Sequence, residues 1–188
     1  MFAVAFLGSV AVLERFDLLP DTMLAPAAPA VARSVTISPA VAELPMKIEI
    51  VKINLYTAIS NPITTDVSVL DKELLSGAVR YPTSAKLGET GNVVIFGHSS
   101  YLPIVRNQAY KAFNDIQKLT AGDAVTVYSS DNAYTYRVRS VAKESTNDTI
   151  PLTVTNRVLT LSTCDSFGTA TDRFVVVADF VESHAISG

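Results

Sequence analysis

The chain is poor in the residues that many binding and redox chemistries require. It has one cysteine, Cys164, and two histidines among 188 residues. A single thiol excludes an internal disulfide framework, and two imidazoles beside it leave too few soft ligands for a zinc site. No cofactor or metal is therefore expected. Charge is scarce as well: 18% of residues are acidic or basic and the formal net charge is −3. That argues against nucleic acid as a partner, since such a protein presents a basic face. Repeats, metal-loop patterns, Gly-rich phosphate loops and coiled-coil heptads are missing. So is a full-length hydrophobic run. Met1 to Leu13 is apolar and uncharged, but Glu14, Arg15 and Asp17 then interrupt it, well short of the ~20 residues a membrane-spanning helix needs. No lysine or arginine precedes it, so the usual positively charged flank is absent.

What is present divides the chain by composition. Residues 1–19 read as a partial hydrophobic membrane anchor whose basic flank and remaining apolar residues would lie upstream. Residues 20–45, rich in Ala and Pro with no sustained period, read as a linker. A folded domain is expected over 46–182, followed by a tail at 183–188. Within the domain, KIEIVKI (Lys47 to Ile53) reads as an imperfect strand, continued by NLYTAI after a bend at Asn54. Val67, Leu70, Leu74 and Leu75 have helical spacing, ended by Gly77. Asn92 to His98 is predicted as a strand, Ala109 to Leu119 as a helix, and AVTVYS and YTYRVRSVA as strands joined by a Ser130-Asp131-Asn132 turn. Glu144 to Asn156 reads as a polar loop. Seven or eight short strands at this spacing predict a mainly β fold, a closed or nearly closed barrel with two or three short helices.

The stretch from Asn156 to Val181 holds the only thiol between two strand-like runs. Alternation puts Leu159, Leu161 and Thr163 on one face and Val158, Thr160, Ser162 and Cys164 on the other. Cys164 therefore ends a strand. A turn-rich segment, DSFGTATD, follows, and Arg173 opens a second strand, FVVVADFV. Thiol and guanidinium thus sit at adjacent strand ends. The thiolate is the reactive form, so a catalytic cysteine wants a positive or basic neighbour. Read alone, a lone cysteine is equally at home as a small buried hydrophobe.

Three separated motifs resemble those of sortases, the cysteine transpeptidases of the bacterial cell surface. Thr160-Leu161-Ser162-Thr163-Cys164, with Arg173 nine positions on, is similar to the T-L-x-T-C…R signature. Gly91 to Ser100, GNVVIFGHSS, resembles the strand that supplies the family's histidine, His98. Leu74 to Asn92 resembles the G-x-x-x-Y-P…G-E-x-G-N approach to it. The resemblance covers about Pro45 to Val181 and implies an eight-stranded barrel with the active site in a wall groove. It also implies catalytic roles: Cys164 as nucleophile, His98 as proton carrier, Arg173 as donor to the substrate carbonyl or its oxyanion, with Ser162 and Thr163 as substrate contacts.

The implied partners are the sorting-signal peptide of secreted surface proteins and an amine acceptor, a peptidoglycan precursor or a pilin lysine. The implied location is the bacterial cell membrane, reached through the N-terminal segment, with the catalytic domain on the extracellular side. Leu19-Pro20-Asp21-Thr22 matches the L-P-x-T core that many sortases cut, but Met23 stands where glycine would follow, and chance explains so short a motif. Three departures concern the subclass: Asp165 follows the cysteine, Ser99-Ser100 replaces an Arg often seen after the histidine, and Arg80 stands where His often precedes Tyr-Pro. Two other readings remain: a cysteine hydrolase or L,D-transpeptidase-like cell-wall enzyme, and a non-catalytic β-barrel binding module. TLSTC lacks the S-H-G-C-x-R-type pattern of the L,D-enzymes.

Overall fold

A computed structural model describes residues 41–164 and 171–186. The expected anchor, most of the linker and the turn 165–170 lie outside them. Eight strands close into a barrel: β1 (Lys47–Ile50), β2 (Leu55–Ser60), β3 (Ala78–Arg80), β4 (Gly91–Gly97), β5 (Ala124–Tyr128), β6 (Asn132–Ser145), β7 (Arg157–Cys164) and β8 (Asp172–Ala185), in the spatial order β1-β2-β3-β4-β7-β8-β6-β5. The β2–β3 and β4–β7 pairs are parallel and the others antiparallel. Period-two alternation fills the interior: Val93 and Ile95 of β4, Leu159 and Leu161 of β7, and Val176 and Ala178 of β8 join one buried cluster. The mainly β expectation is met, with one α-helix and three 3₁₀ turns among the described residues.

The domain boundaries differ from the composition reading. Backbone pairing begins at Glu43, whose N–H and C=O bond Leu87, so the last residues assigned to the linker already belong to the barrel. The supposed tail is strand: Ser183, His184 and Ala185 pair with Tyr134, Ala133 and Asn132. The β6–β8 ladder continues to them past two register shifts, between Thr135 and Tyr136 and between Val138 and Ser140.

Two local predictions fail for tertiary reasons. The KIEIVKI strand stops at Ile50, because Val51–Ile53 form a 3₁₀ turn ended by Asn54 in the left-handed conformation, φ 50°, which Asn tolerates. This turns β1 back onto β2, with Ile50 opposite Leu55. The predicted 109–119 helix is two 3₁₀ turns, Gln108–Lys111 and Ile116–Lys118, interrupted at Asp115, φ 68°. Its apolar pattern is genuine, since Ala112, Phe113, Ile116 and Leu119 are all buried. The helical ladder loses because Phe113 N–H donates to the His98 carbonyl at 2.8 Å and the Asn114 side chain is held by Ser100.

The remaining helix, α1 (Val67–Leu74), forms as expected. Asp66 caps it, accepting from Ser68 N–H at 2.9 Å and Val69 N–H at 3.2 Å. Hydrogen bonds from the Ser68 hydroxyl and these two amides hold the Asp66 carboxyl below its ordinary value. Leu70 and Leu74, four apart, pack on Val79 and Phe96. Gly77 ends the segment at φ +149°, where an added Cβ would lie 2.6 Å from the Ala58 carbonyl oxygen. The helix thus sits on the outer face of β3 and β4, beside the site.

Candidate active site

Strand β7 lies between β4 and β8, and both ladders run out at the same end. The parallel register with β4 ends at Gly97 and Thr163; the antiparallel register with β8 has Cys164 opposite Arg173. His98 follows Gly97 directly, one step past the last pair and level with Cys164. Three positions far apart in sequence are therefore backbone neighbours. Gly97 lets Phe113 pack against the strand end: an added Cβ would stand 2.9 Å from Phe113 Cγ, so a side chain there would displace a fully buried ring.

A cavity of about 680 Å³ opens at these strand ends. Its floor comes from β4 and β7, with Val94, Phe96, Ser162 and Thr163; α1 supplies Leu70, Asp71 and Leu74; the loop after β6 supplies Thr149, Ile150, Pro151 and Leu152. His98, just past β4, and Arg173, on β8, also line it. A second, more polar cleft of about 500 Å³ near Tyr56 and Asn107 contains neither.

His98 is half-buried, its ring centroid 5.2 Å from that of Tyr110 and tilted 37° to it. Burial pushes its imidazole below the ordinary value, and the charge of Asp71 opposes that shift. The two serines after it are anchors: Ser99 Oγ donates to Asn114 Oδ1 at 3.2 Å, and Ser100 exchanges two 2.8 Å bonds with the same amide. Arg173 donates from Nη2 to the Asp148 carbonyl, while its Nε is buried without a partner among the described residues. The neighbouring carboxylates of β8 bind other cations: Asp179 binds Arg139 at 2.8 Å and Asp172 binds Lys143 at 3.3 Å.

A family model for the Sortase domain matches residues 48–181. The chain belongs to the sortase family. It is 33% identical over 122 residues to sortase A of Bacillus anthracis, a match covering 63% of this chain and 53% of that protein, so this chain spans about half the length of the curated relative it matches. Its fold is similar to that of a Listeria monocytogenes sortase A, with TM-score 0.60 and 21% identity over 78% of this chain and 92% of that one. A Clostridium perfringens sortase D5 transpeptidase gives TM-score 0.56 and 25% identity, over 72% and 78%.

In this sortase two positions of the motifs have structural roles that sequence reading missed. Asn92, fully buried, donates from Nδ2 to the Pro151 carbonyl at 2.8 Å, and its N–H donates to the Leu152 carbonyl at 3.1 Å. It fastens one wall of the cavity to β4. Arg80, 5% exposed, binds Asn61 Oδ1 at 3.1 Å and the Ser84 carbonyl at 2.6 Å, fixing the Tyr-Pro turn that follows β3. Only the G-N pair and the Y-P pair in the sequence could have pointed to them. The sortase's Asp71 had no motif to mark it.

Proposed function

We propose that this sortase is a cysteine transpeptidase that cleaves an LPxTG-like sorting signal through a thioacyl-enzyme and passes the acyl group to an amine of a cell-wall precursor or pilin. The observation that carries this reading is the shared end of the two β7 ladders, which makes Cys164 a backbone neighbour of both the His98 and Arg173 positions beside one apolar-walled cavity. The lining supports it further, because Ser162 and Phe96, each two residues before Cys164 and His98 in the chain, line the cavity together with His98.

Cys164 gives its proton to His98, and the thiolate sulfur attacks the carbonyl carbon of the scissile peptide. Arg173, whose donors stay charged at any relevant pH, hydrogen-bonds the oxyanion as the tetrahedral centre forms. The C–N bond breaks as His98 protonates the leaving amine, leaving a thioester. The incoming amine then attacks that carbonyl and gives a proton to His98; the C–S bond breaks and the thiolate returns. Leu70, Leu74, Ile150 and Pro151 offer the apolar side of the cavity to the Leu-Pro portion of the signal. Ser162 and Thr163 contact the peptide near the nucleophile. Tethering by the 1–19 segment would raise the effective concentration of enzyme beside membrane-emerging substrates; no helix among the described residues is long and apolar enough to cross a membrane.

The test is incubation with an LPxTG-like peptide, with and without a diamine or oligoglycine acceptor. Wild type should gain the mass of one acyl fragment and form the acceptor adduct, and Cys164→Ala should do neither. Full turnover by Cys164→Ala would overturn the assignment, and hydrolysis that no acceptor diverts would make the protein a hydrolase.

A further inference from the structure

Within the reaction proposed above, His98 has to carry a positive charge part of the time, and its surroundings work against that. It is half-buried, and the guanidinium of Arg173 lines the same cavity. A buried imidazolium near a fixed cation is disfavoured by both desolvation and like charge. Its other neighbours include two phenols, Tyr110 at 5.2 Å from the ring and Tyr81 on the cavity wall. One lining residue of the cavity is acidic. It is Asp71, on α1.

The packing explains why Asp71 is there. His98 lies two residues past Phe96, just beyond the end of β4, and Phe96 packs on the Leu70, Leu74 and Val79 cluster. The Phe96 face of β4 is the one α1 covers. Asp71 adjoins Leu70, whose burial fixes the rotation of the helix, and it is itself solvent-exposed. No salt bridge or hydrogen bond engages its carboxylate among the described residues. The sole acidic group on an otherwise apolar wall is thus left facing the cavity that His98 lines.

We propose that Asp71 is a positioning residue for His98: held at the cavity rim by α1, its carboxylate stabilises the imidazolium with which His98 holds and delivers its proton. Electrostatics agree in direction, since the Asp71 charge raises the proton affinity of His98 against the effect of burial. Asp71 does not touch the reacting atoms in this role. It sets how much of the enzyme carries a protonated histidine, and burial of the cavity by a bound peptide would strengthen the coupling by lowering the local dielectric.

Histidine-labelled protein tests this directly, because the chain has two histidines and a His184→Gln variant assigns the pair of resonances. In Asp71→Asn, His98 should titrate at lower pH than in wild type, with His184 as the internal reference. The basic limb of the kcat/KM profile for an LPxTG-like peptide should move to lower pH, and kcat/KM at pH 8 should fall about two- to fivefold, as expected for a partly exposed charge pair. Asp71→Glu should restore both. An unmoved His98 titration in Asp71→Asn would overturn the proposal, as would a pH-independent rise in KM with an unshifted limb, which would make Asp71 a peptide contact. The NMR arm needs no turnover, so it can fail or succeed independently of the Cys164→Ala experiment.

Discussion

Two regions of the barrel are each built around an arginine, and they differ in what is left over. At the end of β3, Arg80 is almost wholly buried and its donors go to Asn61, Tyr81 and Ser84. Burial works against its charge, and Glu89 offsets part of that. At the start of β8, Arg173 spends Nη2 on the Asp148 carbonyl but keeps a buried Nε without a partner among the described residues, on the wall of the cavity. A structural guanidinium has its donors satisfied by the protein. One poised for substrate keeps donors aimed at a place where an acceptor will arrive.

The largest effect expected from this contrast is at Arg173. Arg173→Lys retains the charge but cannot reproduce a planar, multi-donor contact, so kcat/KM for peptide cleavage should fall about 10²-fold, the cost of losing one oxyanion donor, with the melting temperature little changed. Activity at the wild-type level in steady-state assays would make the two arginines alike, both structural. Arg80→Leu should do the reverse. It leaves the Ser84 carbonyl and Asn61 Oδ1 without the Arg80 donor, which costs about 1–3 kcal/mol of stability in denaturant titration, while the folded fraction keeps its activity. A selective loss of activity in stable Arg80→Leu would show that the turn it fixes belongs to the site.

The smallest expected effect concerns pH and separates the site from the scaffold. Burial holds His98 below its ordinary value, so the unfolded chain binds a proton that the folded protein resists. Stability from this group is fully present above about pH 6.5 and is lost as pH falls from there through the depressed folded value. Thermal unfolding between about pH 7 and 5, above the ordinary carboxylate range, should show wild type losing stability on acidification. His98→Gln should flatten that dependence. Identical slopes would mean that His98 is not protonated at a cost in the folded state.

Much of the proposed site could be picked out of the sequence because the residue types it needs are rare in this chain. Cys164, His98 and Arg173 stood out as the lone thiol, the one histidine within a motif and a guanidinium at a strand start. Alternation along β7 put Leu159 and Leu161 on one face, and both are in the core. The helix Val67–Leu74 was readable from the spacing of Leu70 and Leu74 and the stop at Gly77. Asp71 was not, since a charge on an amphipathic helix looks like any solvated face until the helix has a docking partner.

By itself, then, local sequence determined the strands, the amphipathic helix and the identity of the reactive groups, because period and side-chain chemistry act within a few residues. Tertiary structure decided what depends on partners distant in the chain. The 109–119 segment gave up its helix when the His98 carbonyl and Ser100 claimed its hydrogen bonds. Residues 183–185 became strand because they pair with Asn132, Ala133 and Tyr134 at the start of β6. The parallel register of β4 on β7, set by interior packing across some 66 intervening residues, is what brings His98 level with Cys164; no local propensity encodes a register, since a slip of one residue would reverse every side chain in the strand.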